Sequence, residues 1–541
     1  MNALVVLYGG SLNGRALEPV FAGRNALSLA VSRAAAFPGA EKTILLLPEA
    51  FDESALPAAG DLPPCFETVR APFWTKKSLL ETIAGASEGF DLSYFVWADC
   101  PFLDAGLAGA IAARHTRYAA EYSYADGWPY GLAPELLSPG TAGILSKIVA
   151  EDDGPAGRDI LFSVLRKDIN AFDIETEISP VDLRSHRLSF SADSKRNLLL
   201  LQRFTEASGG AIPDASSISD LIGKKPELLR TLPNFFPVQV SGPCPQACPL
   251  CPYPHFGRSG GGEAVTERRD FMEAGAFETL LDKIIAFSGD AVIDLSLWGE
   301  IALHPRRLEL IDMVLARPAL SLVIETSGIG WSPSDPDSIS AAVSSAVKRE
   351  NDCGPEERMP PLSWIVSLDA FSRERYLEAR GPGFAEALSF ARRLRTLFPE
   401  DTWVQAVRVQ GAEDDIEQFY RSWKEGAPKN GGIIIQKYDD FCGALPKRQA
   451  SDLSPVQRQS CWHIMRDFPV LIDGRVPSCR EDLSVFKLPV LKEGRAGVLG
   501  NALSESLETI WARGEDLYLK HTQKNYPGIC AECDEYYTYN F

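Results

Sequence analysis

The sequence predicts a mixed α/β protein built from three parts. Over residues 1–180, short apolar segments alternate with helical segments, which is typical of strand–helix units around a mostly parallel sheet. The same alternation returns from residue 237 to about residue 440, over a length suited to a partial or complete barrel of parallel strands. Residues 441–541 instead contain shorter elements, closely spaced polar turns and more cysteine.

The boundaries between these parts follow from composition. A chain of 541 residues is larger than a single hydrophobic core normally covers, so several domains are expected. A Gly/Ser-rich segment at residues 208–217 marks the end of the first part. We therefore predict domains at 1–215 with a linker, at 236–440 and at 441–541.

Charge and hydropathy exclude several classes of protein. Hydrophobic residues make up 45% and charged residues 23%, as in an ordinary folded protein. With 54 basic and 73 acidic side chains the net charge is −19, which repels phosphate backbones and anionic lipids, so neither nucleic acid nor membrane is expected as a partner. The short apolar start lacks the features of a signal peptide, and no apolar stretch approaches the roughly 20 residues of a membrane span. We expect a cytoplasmic protein.

Three cysteines follow the apolar segment that opens the second part. Cys244, Cys248 and Cys251 have the spacing C-x3-C-x2-C. Three closely spaced thiolates hold three corners of a cubane iron–sulfur cluster and leave its fourth iron without a protein ligand. The alternative is a structural zinc site that His255, four residues past Cys251, closes.

With Leu250 before its third cysteine, this motif resembles the signature of the radical S-adenosylmethionine (SAM) superfamily. The segments that follow are also similar to that family, in order: LWGEIALHP to its glycine–glutamate motif, VIETSG to its third strand, WIVSLDA to its fourth and TWVQAVRV to its fifth. The resemblance implies a [4Fe-4S] cluster on the three cysteines, whose open iron binds SAM. The resemblance also implies that SAM is bound by Gly299, Glu300, Thr326, Ser327, Ser367, Asp369 and Arg408.

The chemistry of these residue types agrees with that assignment. An amino group bound to a metal needs hydrogen-bond acceptors, which Glu300 offers, and close approach of backbone needs glycine, as at Gly299. Active sites of parallel barrels gather at the carboxyl ends of the strands, where these residues are predicted to lie. The family often has glycine where Trp298 stands and proline where Ile301 stands.

Four cysteines near the end of the chain form a second group. Cys461 and Cys479 lie in a C-x12-G-x4-C segment with Gly474 in a hairpin turn, and Cys530 and Cys533 form CAEC. Four thiolates saturate one cubane cluster, and a four-cysteine zinc ribbon is the alternative. The spacing is similar to the SPASM/twitch extension of radical SAM enzymes, which implies one fully ligated auxiliary [4Fe-4S] cluster.

The other cysteines are expected to be small buried hydrophobic residues, as isolated cysteines usually are. Cys442 has a second interpretation, because its segment FCGALP is expected to lie near the auxiliary site and to supply or exchange a ligand there. The remaining cysteines are Cys65, Cys100 and Cys353.

The first part resembles nucleotidyltransferases of the cytidylyltransferase kind, which have a GT-A-like sheet. The similar segments are LYGGSLNGRALEP, ADCPFLD with Asp99 and Asp104, and DGWPYGLAPELL with Gly131 and Glu135. The resemblance implies a first loop that wraps nucleotide phosphates and a metal carried by Asp99. The loop offers Arg15 but no lysine at the usual spacing. We therefore expect a domain that binds a nucleotide, a sugar nucleotide or the substrate, and transfer activity is the alternative.

The order of the three parts resembles the spirochete-type SPASM proteins. The resemblance implies an enzyme that cleaves SAM reductively and uses the 5′-deoxyadenosyl radical to take hydrogen from a substrate, with an electron donor such as flavodoxin or ferredoxin. The substrate is predicted to be a peptide or protein. Oxidation of a sugar or nucleotide-linked metabolite and a zinc-stabilised binding protein without enzymatic activity are the alternatives. No catalytic acid or base is assigned.

Overall fold

The structure, a computed structural model, confirms the mixed α/β class. The described residues are 2–149, 154–255, 270–351, 359–425, 432–450, 458–486 and 497–535. Those up to Thr231 form one compact unit, and those from Leu232 onward form a second. Within the described residues, none of the helices combines the length and the apolar character that crossing a bilayer requires.

The first unit is built on a seven-stranded sheet with helices in its connections. Strands β1–β7 are Ala3–Tyr8, Ala40–Pro48, Phe66–Ala71, Leu92–Trp97, Tyr122–Asp126, Glu135–Leu137 and Ile174–Ile178. Helices α1–α7 are Ala26–Ala34, Lys76–Ala86, Ala105–Tyr118, Thr141–Ile148, Ile160–Leu165, Lys195–Ala207 and Ala215–Lys224. The strand order is β3-β2-β1-β4-β6-β5-β7, and only β6 runs antiparallel to its neighbours among these strands. Because β1 is buried along its whole length, its uninterrupted apolar sequence is explained.

The end of the first unit lies beyond the Gly/Ser-rich segment. Helix α7 buries Ile218 and Ile222, and its first residue, Ala215, donates its backbone N–H to Asp104 Oδ2 at 3.0 Å. This contact ties the helix to the start of α3. The predicted division of the rest of the chain at residue 440 stays a prediction, since both parts fall within the second unit.

The second unit is built on a six-stranded parallel sheet that curves into a half-barrel. Strands β8–β13 are Phe235–Pro237, Ala291–Asp294, Leu320–Thr326, Leu362–Ser367, Thr402–Arg408 and Ile433–Lys437. They lie side by side in chain order. Strands β14 and β15, Arg475–Pro477 and Val498–Asn501, form a separate antiparallel pair. Helices α8–α16 are Ala274–Ser288, Arg307–Leu315, Asp335–Asn351, Arg373–Ala379, Phe384–Leu397, Glu413–Lys424, His463–Arg466, Leu507–Arg513 and Glu515–Thr522.

The core of the second unit lies between the half-barrel and its outer helices. On β10, Leu322 and Ile324 are fully buried in this core, together with Phe277 of α8 and Leu394 of α12. Successive side chains of a strand point to opposite faces. Glu325, which follows Ile324 on β10, is therefore on the inner face of the half-barrel, where a site can form.

Candidate functional site

The cysteine loop after β8 lies directly against the segment that follows β9. Gly299 has a φ of +77°, and a Cβ atom there would lie 1.9 Å from the carbonyl oxygen of Ser241. The next residue, Glu300, donates its backbone N–H to Pro243 O at 2.9 Å. Only glycine allows this approach, so Gly299 fixes the backbone that leads into Cys244.

One cavity of about 250 Å³ brings most of the predicted site residues together. They come from the cysteine loop and from the carboxyl ends of β9, β10 and β11, as expected for a parallel barrel. The predicted residues that line it are Cys244, Cys248, Cys251, Gly299, Glu300, Thr326, Ser327, Ser367 and Asp369.

Glu300 is buried and held by the end of β10. Thr326 Oγ1 donates to Glu300 Oε1 at 2.7 Å. Ser327 donates to Glu300 Oε2 from its backbone N at 2.8 Å and from Oγ at 2.6 Å. Burial raises the pKa of Glu300, and these hydrogen bonds oppose that shift because they favour the ionised form. Thr326 and Ser327 therefore orient this carboxylate.

Asp369 reaches the cysteine loop through an arginine that the sequence analysis did not identify. Arg380 Nη1 donates to Asp369 Oδ2 at 2.5 Å, and Arg380 Nε donates to Gln246 Oε1 at 3.1 Å. The Cys248 thiol donates to the same Gln246 oxygen at 3.8 Å. Burial raises the pKa of Cys248, and the Arg380 charge partly opposes this. Arg380 lies just beyond α11, so no strand-end pattern indicated it.

The inner face of the half-barrel carries a polar layer. Glu325 Oε1 accepts hydrogen bonds from Ser367 Oγ and from Gln405 Nε2, both at 2.7 Å. Burial, with a smaller effect of the nearby Glu325 charge, raises the pKa of Asp294 to about 7. Asp294 and Gln405 were not identified from the sequence, although Asp294 is the last residue of β9 and Gln405 lies on β12 beside Ser367.

Arg408 does not line the cavity. Gln405 and Val407 of the same strand do, so residues of the other parity, including Arg408, lie on the opposite face. There Arg408 is close enough to Glu413 to lower the pKa of that carboxyl, after the larger effect of backbone N–H groups. Its contact with SAM stays a prediction.

The three loop cysteines suit a metal that prefers thiolates. Burial raises the pKa of Cys244 to about 12, with further contributions from Glu300 and Cys248. Burial also raises the pKa of Cys251, and both other loop thiols add to it. Neighbouring buried thiols ionise together only when a cation compensates their charge, as an iron–sulfur cluster does. The side chain of His255, the ligand of the zinc alternative, lies outside the described residues.

The C-terminal cysteines also come together, although they are far apart in sequence. Burial raises the pKa of Cys461 to about 12, and Cys533 and Cys530 add to it. Burial raises the pKa of Cys479, with Cys461 as the next contribution. The nearby Cys533 and burial raise the pKa of a fifth thiol, Cys442, which is itself buried. Four of these thiols are enough to hold one cubane cluster, so the donor set fits that group.

A cluster of charged side chains connects the cavity with this second thiol group. Lys437, Asp439 and Arg480 line the cavity. Oxygen atoms of Asp439, Glu481 and Glu535 lie within 4.8 Å of one another. Arg480 pairs with Glu481 at 2.9 Å and with Glu535 at 3.4 Å, and Lys437 lies 3.6 Å from Glu535. The pattern of single elements did not indicate this cluster, because its members come from three separate segments.

In the first unit, Asp99 is ion-paired with an arginine. Both carboxylate oxygens accept from Arg158, with Oδ1 at 3.2 Å from Nη1. Arg158 also pairs with Asp193 at 3.1 Å, and its guanidinium lies 4.7 Å from the ring centre of Trp97. A guanidinium therefore occupies the carboxylate that the resemblance assigns to a metal.

The other residues singled out in the first unit have structural contacts. Asp104 caps α3 by accepting from Leu107 N at 2.7 Å. Glu135 accepts from the Tyr122 hydroxyl, and burial raises its pKa to about 7. Gly131 has a φ of +88°, and a Cβ atom there would lie 2.7 Å from a backbone carbonyl oxygen. Each of these three residues therefore has a structural role that requires no bound ligand.

Replacing Arg158 by lysine is expected to lower the free energy of unfolding by about 2 kcal/mol, because lysine cannot hold Asp99 with two nitrogens. Asp99 is only 6% exposed. Chemical unfolding of the full chain measures the change. The matched control is Arg184→Lys, which should leave stability unchanged. Arg184 also pairs with two aspartates, but its side chain is 62% exposed. Equal effects of the two variants would contradict a buried role for Arg158.

Comparison with known proteins gives relatives of known sequence but not of known function. No protein-family model matches the chain. An uncharacterized protein of Treponema pallidum (strain Nichols) is 36% identical over 390 residues, which cover 70% of this chain and 98% of that protein. Since the match spans nearly the whole relative, that protein is similar to this chain along almost its entire sequence.

Solved structures resemble this chain more weakly. BtrN in complex with AdoMet and 2-DOIA is 16% identical and covers 56% of this chain and 94% of its own, with a TM-score of 0.34. Streptococcus suis SuiB bound to precursor peptide SuiA is 13% identical and covers 65% and 76%, with a TM-score of 0.38. A cytidylyltransferase from Leptospira borgpetersenii serovar Hardjo-bovis (strain JB197) is 16% identical and covers 42% and 95%, with a TM-score of 0.35. At these values, any functional conclusion rests on the residues described above.

Proposed function

The chain belongs to the same family as the Treponema pallidum protein, and we propose that it is a radical SAM enzyme. The observation that carries this proposal is a single cavity that joins the three loop cysteines to Gly299 and Glu300. A zinc site needs a fourth ligand and no cofactor cavity, whereas an iron site with one open corner needs both the three thiolates and room beside them.

The residues present fit the two groups that this function requires. Cys244, Cys248 and Cys251 would hold a [4Fe-4S] cluster, and Glu300 would accept hydrogen bonds from the amino group of SAM. The chemistry supplied by the bound groups is reductive cleavage of SAM to methionine and a 5′-deoxyadenosyl radical, which takes hydrogen from the substrate. The protein binds, orients and shields the reactants.

Side chains around the cavity perform these tasks. Thr326 and Ser327 fix the Glu300 carboxylate so that it need not reorganise when an amine binds. Arg380 keeps a positive charge beside Cys248, which favours its thiolate. On the other side, the rings of Tyr253 and Trp298 stack with centres 6.1 Å apart and pack with Cys244 and Cys251, so they would shield the cysteine loop from water.

We further propose that Cys461, Cys479, Cys530 and Cys533 would hold one closed auxiliary [4Fe-4S] cluster that relays or accepts electrons. The closeness of these thiols supports the assignment. An electron donor such as flavodoxin or ferredoxin is the expected partner. The reduced thiols that both sites need favour a cytoplasmic location.

For the substrate we propose a residue of a peptide or protein. The polar layer of Asp294, Glu325 and Gln405 favours a second candidate, a sugar or nucleotide-linked metabolite, because carboxylates and amides bind hydroxyl groups well. We propose that the first unit binds a nucleotide, a sugar nucleotide or the substrate without transferring it, and the pairing of Asp99 with Arg158 supports this. Calorimetric titration of the full chain with CTP, UDP-sugars and peptides separates the candidates.

The function is tested on protein purified without oxygen. We expect about eight irons and eight sulfides per chain, as two cubane clusters require. Incubation with SAM and dithionite should release 5′-deoxyadenosine and methionine, and addition of cell extract should reveal a mass change in a peptide or metabolite. Zinc in place of iron would contradict the proposal.

A further inference from the structure

The sheet of the first unit has a point where the order of its strands reverses. From β1 the chain passes to β2 and β3 on one side and then places β4 on the other side, parallel to β1. Ligands of open parallel sheets bind at the carboxyl ends of the two strands that flank such a point. Here these ends are Tyr8 and Trp97, which are paired in register and whose ring centres lie 4.7 Å apart. A ligand of the first unit is therefore expected beside Trp97.

Three charged side chains meet at this point. Asp99, two residues beyond β4, accepts from both terminal nitrogens of Arg158, with Oδ1 3.2 Å from Nη1. Asp193 Oδ2 lies 3.1 Å from Nη2 of the same guanidinium, and Asp193 Oδ1 accepts from Asn197 Nδ2 at 2.8 Å. The backbone carbonyl of Asp193 accepts from Asn13 Nδ2 at 2.7 Å. The loop after β1 is thus tied to the same cluster.

Two aromatic rings hold the guanidinium of Arg158 in this position. Its Cζ atom lies 4.7 Å from the ring centre of Trp97 and 5.4 Å from that of Tyr130. Nη1 also donates to the Tyr130 hydroxyl at 3.3 Å. A guanidinium gains from aromatic faces and carboxylates at once, and it stays charged at any physiological pH. Arg158 is therefore a fixed positive charge between two carboxylates.

We infer that Arg158 takes the place of a divalent cation at Asp99, so that the first unit binds its ligand without a metal ion. This inference rests on the binding role proposed for the first unit and is independent of the SAM chemistry. Mg²⁺ requires oxygen ligands at about 2.0–2.1 Å in a nearly octahedral arrangement. Both oxygens of Asp99 are held by the guanidinium, whose charge also repels a second cation. These residues therefore do not fit the metal that the resemblance to nucleotidyltransferases implies.

The charge balance of the cluster also bears on the ligand. The guanidinium of Arg158 compensates only one of the two carboxylates, Asp99 and Asp193, so the cluster keeps a negative charge. A nucleoside triphosphate carries several negative charges and is usually bound together with Mg²⁺. Of the ligands proposed for the first unit, a metal-bound triphosphate is therefore the least suited.

The first test uses the unaltered full chain. It is titrated calorimetrically with CTP and with UDP-glucose, each in the presence of Mg²⁺ and again with EDTA. We expect Mg²⁺ to leave both affinities unchanged, because no step of binding uses the metal. Binding that occurs only with Mg²⁺ would overturn the inference. If neither compound binds, the nucleotide ligands proposed for the first unit are excluded, and the metal measurement that follows decides the inference.

The second test measures whether Arg158 keeps a metal away from Asp99. Binding of Mn²⁺ to the full chain is followed by the loss of the electron paramagnetic resonance signal of free Mn²⁺. We expect Asp99→Asn to bind as much Mn²⁺ as the wild type. Arg158→Ala frees the carboxylates of Asp99 and Asp193, so it should bind about one further Mn²⁺ per chain, and the double variant with Asp99→Asn should lose that ion.

The matched control for the Mn²⁺ measurement is Arg184→Ala. Arg184 also pairs with two aspartates, but its side chain is 62% exposed. Those carboxylates are already solvated, so this variant should gain no Mn²⁺.

Two results of the Mn²⁺ measurement contradict the inference. Weaker Mn²⁺ binding by Asp99→Asn than by the wild type would show that Asp99 holds a metal although Arg158 is present. A folded Arg158→Ala protein without additional Mn²⁺ would show that the arginine does not stand in a metal's place. If Arg158→Ala does not fold, the comparison of Asp99→Asn with the wild type decides. Failure of SAM cleavage is a separate result, because neither test involves SAM.

Discussion

Alanine in place of Cys244, Cys248 or Cys251 should abolish the proposed reductive SAM cleavage and remove about four of the about eight irons expected per chain. Each of these thiols lines the same cavity, and a cubane cluster that loses one of only three protein ligands is no longer held. The irons of the proposed auxiliary cluster should remain, because its thiols belong to a different group. Iron analysis and the amount of 5′-deoxyadenosine formed with dithionite measure the two effects.

The control for this prediction is Cys65→Ala. The expectation that Cys65 is buried was wrong, since it is exposed, whereas Cys100 is buried and Cys353 lies outside the described residues. Because Cys65 is exposed and belongs to the first unit, its replacement should leave iron content and SAM cleavage unchanged. If all three loop variants still produced 5′-deoxyadenosine, the cysteine loop would not hold the reactive cluster. If the control variant lost iron as well, the losses would report protein damage during purification.

The most buried strands of both sheets were predictable, because their sequences show which residues are buried; β3 and β5–β7 of the first sheet were not predicted. An uninterrupted apolar run predicted β1, and this strand is buried throughout. On β10, Leu322 and Ile324 alternate with Glu325, so the sequence shows which face is polar. On β12, the same alternation of side chains places Gln405 and Arg408 on opposite faces of the sheet. Their different positions could therefore be predicted from strand alternation alone.

Contacts between distant segments were not predictable in the same way. Arg380 reaches Asp369 and Gln246 from the end of a helix, and its own sequence neighbourhood carries no motif. Arg158 and Asp99 meet across 59 residues. Such pairs depend on how strands and helices pack. Closely spaced cysteines, in contrast, indicate a metal site from a segment of only a few residues. For this reason the cysteine loop could be singled out from the sequence and the side chains that support it could not.

Cys442 shows a third kind of difficulty. Its segment was expected near the auxiliary site, but no spacing rule gives a fifth cysteine a role beside four that suffice for one cluster. What distinguishes it is the backbone, which holds Phe441 and Cys442 in the left-handed region. Sequence patterns describe preferred conformations, so a position where the chain adopts an unfavourable one is visible only in the structure.

Gly299→Ala should be the most damaging single substitution outside the cysteines. Its Cβ atom would lie 1.9 Å from Ser241 O and 2.8 Å from Ser241 C, and backbone atoms cannot rotate away as a side chain does. The positive φ adds a further penalty. From the steric clash and the backbone strain together, we expect the free energy of unfolding to fall by about 2–4 kcal/mol. Displacement of the loop from Glu300 should lower the rate of 5′-deoxyadenosine formation by about 100-fold.

The structure offers a matched control in Gly275, near the start of α8. A Cβ atom there meets nothing within 4 Å, so Gly275→Ala should keep activity and stabilise the helix by about 0.5–1 kcal/mol. Chemical unfolding and the SAM assay are performed on both variants. A Gly299→Ala protein as stable and active as the wild type would mean that the segment after β9 does not pack against the cysteine loop. Because that approach positions Glu300 beside the three thiols, the proposed binding of SAM would then lose its geometric basis.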